Sequence, residues 1–261
     1  MNKRLIGVVH LPPLPGSPTA WPMHRILAQV DADLRALTAA GIEEVILENF
    51  GDAPFFAERV PAVTIAAMTA CMLTAHAAAP LASLGVNVLR NDAEAALSIA
   101  AVTGAQFIRV NVHTGARVTD QGVVQGRAAE TLRLRKSLDA SHVAIWADVD
   151  VKHSAPLAAR PIGEEAHDLA ERGLADAVLV TGSGTGRGAD QRDLEAVLAA
   201  VRVPVLVASG VTVETLADVR GAHGVIVGSC LRLGGRAGDP IDEGLARHFA
   251  EAFRASRSAR A

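Results

Sequence analysis

Two kinds of apolar patterning alternate along the chain. Eight short runs are apolar at nearly every position: Leu5–Val9, Glu44–Glu48, Gly85–Leu89, Gln106–Asn111, Val143–Asp148, Ala177–Thr181, Val205–Ala208 and Gly224–Val227. Strands covered on both faces need such runs, because neither side of the sheet meets water. Between them the apolar residues fall at helical spacing. In 24–40 these are Ile26, Leu27, Val30, Leu34 and Leu37, with Gly41 where a helix ends. The same reading predicts helices over 61–79, 92–103 with Asp92 as its cap, 126–138, 163–172, 190–201, 212–219 and 242–253.

Eight strands each followed by a helix imply right-handed parallel crossovers, and these close into a (β/α)8 TIM barrel. A doubly wound sheet is the rival fold. It is disfavoured because no GxGxxG follows the first strand. One barrel domain is expected over residues 1–253, followed by a short, basic, frayed tail over 254–261. A chain of 261 residues, half of them hydrophobic, suits a single barrel.

Residues 61–89 carry no Asp, Glu, Lys or Arg. Pro80 and Gly85 interrupt the stretch, so a barrel helix and a buried strand explain it better than a transmembrane segment. Its helix without charges hints at a homo-oligomer contact. Charge elsewhere is nearly balanced, 25 Lys plus Arg against 28 Asp plus Glu, and aromatics are 3% with no Tyr. Neither an electrostatic footprint for nucleic acid nor a base-stacking platform is present. The two cysteines, Cys71 and Cys230, form no metal or disulfide pattern and fit a reduced, cytoplasmic protein.

Barrels of this class place their chemistry at the C-terminal ends of the strands. Here those ends are polar: His10; Glu48, Asn49 and Asp52; Arg90, Asn91 and Asp92; Arg109, Asn111 and His113; Asp148, Asp150, Lys152 and His153; and the glycine loop from Thr181 through Gly182 and Thr185. The seventh and eighth strands end in Ser209-Gly210 and Gly228-Ser229. Glycine lets backbone N–H groups approach an oxyanion, and a following short helix adds its positive end. A phosphate site from Gly182, Ser209, Gly210, Gly228 and Ser229 is therefore expected; the alternative is a pair of ordinary glycine turns. The 181–188 loop lacks the GK[ST] of a P-loop and reads equally as an anion cradle or a lid. The long loop around Asp120-Gln121-Gly122 is the kind that closes over a ligand.

Asp148 and Lys152 share a face if their strand continues that far; the lysine beside the carboxylate could then carry protons or form a Schiff base, and the alternative is a rim ion pair. Glu48, Asn111 and His10 complete the expected catalytic group. Asn49, Arg90, Asn91, Asp92, Arg109, His153 and Thr185 are expected to hold substrate. Glu48 with Asp52 and Asp92 could bind a divalent cation or ribose hydroxyls, but carboxylates alone are a weak metal signal, and no other cofactor is indicated.

Several of these strings are more specific than their chemistry. Val8 to Pro18 (VVHLPPLPGSP), Glu48 to Pro54 (ENFGDAP), Val86 to Asp92 (VNVLRND), Phe107 to Val112 (FIRVNV), Asp148 to His153 (DVDVKH) and Val207 to Thr212 (VASGVT) closely resemble the BtpA family over nearly the whole chain. The resemblance implies a barrel of the ribulose-phosphate-binding type. It also brings the label of photosystem I biogenesis, and names in nucleoside-triphosphate hydrolysis or sugar metabolism for some members. Three readings follow: an enzyme of isomerase or lyase type acting on a phosphorylated sugar or nucleotide-like molecule, a non-catalytic photosystem assembly factor, and a nucleoside-triphosphate hydrolase.

Overall fold

The structure is a computed structural model that describes residues 3–182, 188–208 and 210–258. Ser209 and Thr185, both expected at the ligand, lie outside the described residues. In chain order the strands are β1 (Arg4–His10), β2 (Glu44–Glu48), β3 (Ser83–Asn87), β4 (Phe107–Val110), β5 (Ala116–Thr119), β6 (Gly122–Gln125), β7 (Ala144–Asp150), β8 (Ser154–Pro156), β9 (Ala177–Val180), β10 (Val205–Ala208) and β11 (Gly224–Val227). The helices are α1 (Met23–Ala39), α2 (Ala62–Ala78), α3 (Ala93–Thr103), α4 (Ala128–Ser137), α5 (Ile162–Glu171), α6 (Gln191–Ala200) and α7 (Glu243–Ser258). Eight strands pair in parallel in the cyclic order β1-β11-β10-β9-β7-β4-β3-β2 and close the barrel.

Side chains alternate across each strand, so every barrel strand feeds two cores. Outward residues such as Val9, Val45, Leu47, Val178 and Val207 pack against the helices. Inward residues Ile6, Val8, Ile46, Phe107, Trp146, Leu179, Leu206 and Ile226 fill the barrel itself. Phe107 and Trp146 stack with ring centroids 3.7 Å apart, and Arg4 covers the indole from below at 4.5 Å. This pair plugs the lower barrel and leaves the upper end for polar groups.

Three expectations are corrected. The segment 212–219 is a series of turns rather than a helix. It is rich in β-branched residues, and the Thr215 hydroxyl accepts the Thr212 N–H at 2.9 Å, a local alternative to helical bonding. The loop after β4 is no free lid: β5 and β6 form a hairpin, and β8 joins it to make a three-stranded antiparallel sheet at the barrel rim. The last helix, predicted to end at Phe253, continues to Ser258. Arg254 Nη2 donates to Ala40 O at 3.0 Å and ties that extension to the end of α1.

On α2, Val63 and Leu73 stand 43% and 56% exposed on the charge-free outer face. No helix of the described residues is long and apolar enough to cross a membrane.

Candidate functional site

The polar ring at the barrel mouth follows from strand alternation. Two residues beyond an inward apolar side chain comes an inward polar one: Val8 to His10, Ile46 to Glu48, Gly85 to Asn87, Phe107 to Arg109, Trp146 to Asp148. The opposite arc, from β9 to β11, carries Leu179, Ala208 and Ile226, with Gly182, Gly210 and Gly228 just beyond their strands. Among the described residues one side of the mouth is thus charged and the other is small.

Within the charged arc the groups are paired. Arg109 donates to both oxygens of Asp148, Nε to Oδ2 at 3.1 Å and Nη2 to Oδ1 at 2.9 Å, and its Nη1 lies 3.9 Å from Glu48 Oε2. Asn111 Nδ2 donates to Asp148 Oδ2 at 2.8 Å, and Asn87 Nδ2 donates to Glu48 Oε2 at 2.5 Å. Burial opposes the charge on Arg109, but Asp148 and Glu48 outweigh it and hold the guanidinium protonated. The expected pairing of Asp148 with Lys152 is corrected, because a register shift between Asp148 and Asp150 breaks the alternation before Lys152 is reached.

Lys152 instead lines a cavity of about 70 Å³ with His10, Glu48, Phe50, Arg109, Gly210, Val211, Gly228 and Ser229. That is several times the roughly 10–15 Å³ one water needs. On the small side of this cavity, Gly210 adopts φ 65°. Among the described residues the N–H groups of Gly210, Val211 and Ser229 donate to no backbone carbonyl. The short helix expected at the glycine turn after the eighth strand is a three-residue 3₁₀ turn, Ser229–Leu231, and α7 starts only at Glu243, so the donors are individual amides rather than a helix end.

Two shifts mark the cavity wall. Burial, then the nearby cations Arg109 and Arg90, push the Lys152 ammonium towards its free amine, against Glu48 and Asp148. Burial and the cations Arg232, Lys152 and Arg109 hold His10 neutral. Its Nε2 lies 4.0 Å from Glu48 Oε1, its ring packs on Phe50 with centroids 4.7 Å apart, and its buried Nδ1 has no partner.

Other expected ligand residues serve the scaffold. Asn49 accepts from Leu89 N at 2.7 Å and donates to Asp52. Asn91 bridges Val112 through N–H and C=O contacts, both at 2.8 Å. Asp92 accepts from Ala95 N at 2.9 Å and Val60 N at 2.8 Å. Asp52 accepts from Leu14 N at 2.7 Å, so its carboxylate and that of Asp92 are occupied away from Glu48. The expected three-carboxylate cation site is therefore not assembled, and among the described residues no other group of three or more candidate metal ligands gathers. Arg90 donates to Lys152 O at 2.6 Å and sets the backbone that presents the lysine. Gly182 is buried and is not on the cavity wall, and His153 is exposed with φ 55°.

Two residues were missed from sequence. Asn87 was readable, since it follows inward Gly85 by two positions on β3. Arg232 was not. It is 1% exposed and donates to Val8 O, Gly228 O and Asp239 O at 2.9, 2.6 and 2.6 Å, tying β1 to the turn after β11. Nothing in its local sequence announces three carbonyls so far apart in the chain.

A closed barrel of eight parallel strands with crossover helices and a polar upper mouth defines a (β/α)8 barrel. Solved structures with this fold include thiamine phosphate pyrophosphorylase from Pyrococcus furiosus (TM-score 0.59, 15% identity, 98% of this chain and 96% of that one). They also include (S)-3-O-geranylgeranylglyceryl phosphate synthase from Thermoplasma acidophilum in complex with sn-glycerol-1-phosphate (TM-score 0.59, 14% identity, 97% and 94%). At these identities the likeness is one of fold. The chain belongs to the BtpA family, whose model matches residues 1–255. It is 42% identical over 253 residues to the photosystem I biogenesis protein BtpA of Synechocystis, covering 95% of this chain and 87% of that protein. It is 41% identical over 238 residues to an uncharacterized protein of Archaeoglobus fulgidus, covering 90% and 94%.

Proposed function

We propose that the chain is an enzyme that binds a phosphorylated sugar or nucleotide-like small molecule at the barrel mouth and transforms it by proton transfer, in an isomerase or lyase type of reaction. One observation carries this reading. A single cavity joins backbone amides at Gly210, Val211 and Ser229 to a wall of Glu48, His10, Arg109 and Lys152. An anion held at the first set places the attached carbon at the second, and fixed orientation of this kind lowers a barrier substantially. Asp148 and Asn111 position Arg109, and Arg109 offers charge to an oxygen of the substrate.

Thermal melting with inorganic phosphate and a panel of phosphorylated sugars and nucleotides, with and without divalent metal, tests the reading. A ligand bound only to the folded state at a hundred times its Kd adds about 2.7 kcal/mol. A rise in Tm is expected from phosphate and a larger one from the matching phosphosugar, both lost in Ser229→Asp. No rise with any phosphorylated compound would reject the reading.

A second reading, a non-catalytic factor in photosystem I assembly, is favoured by the name of the Synechocystis relative. It expects Glu48→Gln and Lys152→Met to leave cellular function intact while changes at Val63 and Leu73 on the outer face of α2 abolish it.

A further inference from the structure

We infer that Lys152 is a nucleophile that forms an imine with the carbonyl carbon of a short phosphorylated aldehyde or ketone held in the barrel-mouth cavity. The inference rests on the phosphate-binding reading above and narrows its substrate to carbonyl compounds.

The first support is the choice of residue. The chain has three lysines, Lys3, Lys136 and Lys152, among 25 basic residues. Around the barrel mouth the other cations among the described residues are arginines with structural partners: Arg90 on Lys152 O, Arg109 on Asp148, Arg117 on Val149 O and Asp150, and Arg232 on three carbonyls. A guanidinium stays protonated and cannot attack carbon, whereas a lysine can lose its proton and do so. Among the described residues, a chain that uses arginine for structural charge has a lysine at the one cationic position on the cavity wall without such a role.

The second support is how the neighbouring acids are spent. Among the described residues the Lys152 ammonium has no hydrogen bond or ion pair, because Glu48 is held by Asn87 and approached by Arg109, and Asp148 is held by Arg109 and Asn111. A rim ion pair would account for a charged lysine here, and it is not formed. Burial, followed by Arg109, lowers the pKa of this amine from the ordinary lysine value, against Glu48 and Asp148.

The third support is the shape of the cavity. It is small, about 70 Å³, and Gly210, Val211 and Ser229, whose amides donate to no backbone carbonyl among the described residues, share it with Lys152. A phosphate on those amides leaves a chain of only a few atoms to reach the lysine.

The step balances within the site. The Lys152 nitrogen lone pair attacks the carbonyl carbon, a C–N bond forms, and the C=O electron pair moves to oxygen, which takes the proton that nitrogen gives up. A second proton on that oxygen lets it leave as water, and the nitrogen lone pair closes the C=N bond. Glu48 and neutral His10, whose Nδ1 is unpartnered, are the titratable wall groups placed to carry these protons.

Reductive trapping tests this. The full chain is incubated with dihydroxyacetone phosphate, glycolaldehyde phosphate or ribulose phosphate and sodium cyanoborohydride, then weighed intact and mapped by peptide. Reduction of an imine adds the mass of the probe less one oxygen. The expected result is one adduct on Lys152 with at least one of these probes, only trace labelling of exposed Lys136, and loss of the adduct in Lys152→Arg. Unphosphorylated dihydroxyacetone should label little, and excess inorganic phosphate should suppress the phosphorylated probe. If inorganic phosphate raises Tm but no probe labels Lys152 above Lys136, the imine is overturned while phosphate binding stands. If neither is seen, the phosphate reading itself fails. If the unphosphorylated probe labels Lys152 as well as its phosphate does, the proposed substrate class is wrong.

Discussion

Arg109 and Asp148, on the adjacent strands β4 and β7, meet through two hydrogen bonds of 2.9 and 3.1 Å with their side chains 7% and 0% exposed. Breaking one side of such a buried pair leaves a charge in low dielectric and costs about 3–5 kcal/mol. Asp148→Leu and Arg109→Met should each destabilise by that order in urea denaturation. The double variant should recover part of the loss, giving a coupling energy well above the roughly 0–1 kcal/mol of an exposed pair. Simple additivity would show that the two residues are not a unit.

Arg232 ties Val8 O, Gly228 O and Asp239 O together. Arg232→Met removes all three donors, and each carbonyl left buried costs about 1–3 kcal/mol. The variant should melt several degrees lower. Because Gly228 belongs to the cavity wall, its Tm shift with phosphate should also shrink, whereas a surface change such as Arg247→Met should alter neither.

Stability should fall on mild acidification. His10 is held neutral, so its folded pKa lies below the unfolded one. The sign is fixed by this: its contribution is fully present above the unfolded value, near 6.5, and is lost as pH falls from there towards the folded value, at about 1.4 kcal/mol per pH unit. His113, buried with Nε2 at 2.9 Å from Gly173 O, adds a shift of the same direction. Asp33, Asp52, Asp150 and Glu165 are raised by burial and act oppositely, gaining stability as they protonate. The readout is therefore a difference: His10→Asn should be closest to wild type in stability near pH 5.5 and furthest from it near pH 7.5.

Gly85 lies under the Phe107–Trp146 stack. A Cβ there would fall 2.1 Å from Phe107 Cε2, too close for any rotamer adjustment of a ring already packed on Trp146. Gly85→Ala should cost about 3 kcal/mol or more, at the upper end of overpacking effects. Gly104→Ala is the contrast, since its Cβ meets nothing within 4 Å, although its φ of 77° still imposes strain.

Much of this molecule was readable as text. Apolar runs of strand length, alternating with segments at helical spacing and ending in glycine, specify buried parallel strands with crossover helices, and eight of them close on themselves. The same alternation placed Glu48, Arg109 and Asp148 on inward positions at the upper end, because side-chain direction in a strand depends only on local position. Where local chemistry competed, the reading slipped: the threonine-rich 212–219 turns and the 116–125 hairpin are set by side-chain hydrogen bonds and by pairing with β8, a strand of three residues.

Partnership was decided by tertiary structure alone. The sequence determined that Asp148, Lys152, Asn49, Asn91, Asp92 and Arg232 exist near strand ends. It did not determine that Arg109 takes Asp148, that the asparagines and Asp92 bind backbone, that Arg232 holds β1 to the turn after β11, or that Lys152 is left facing an open cavity. The physical reason is range. Helix and strand propensity act over a few residues, whereas a buried charge finds its partner across a closed barrel, where desolvation makes every ionisable group either pair, shift its protonation or face a ligand.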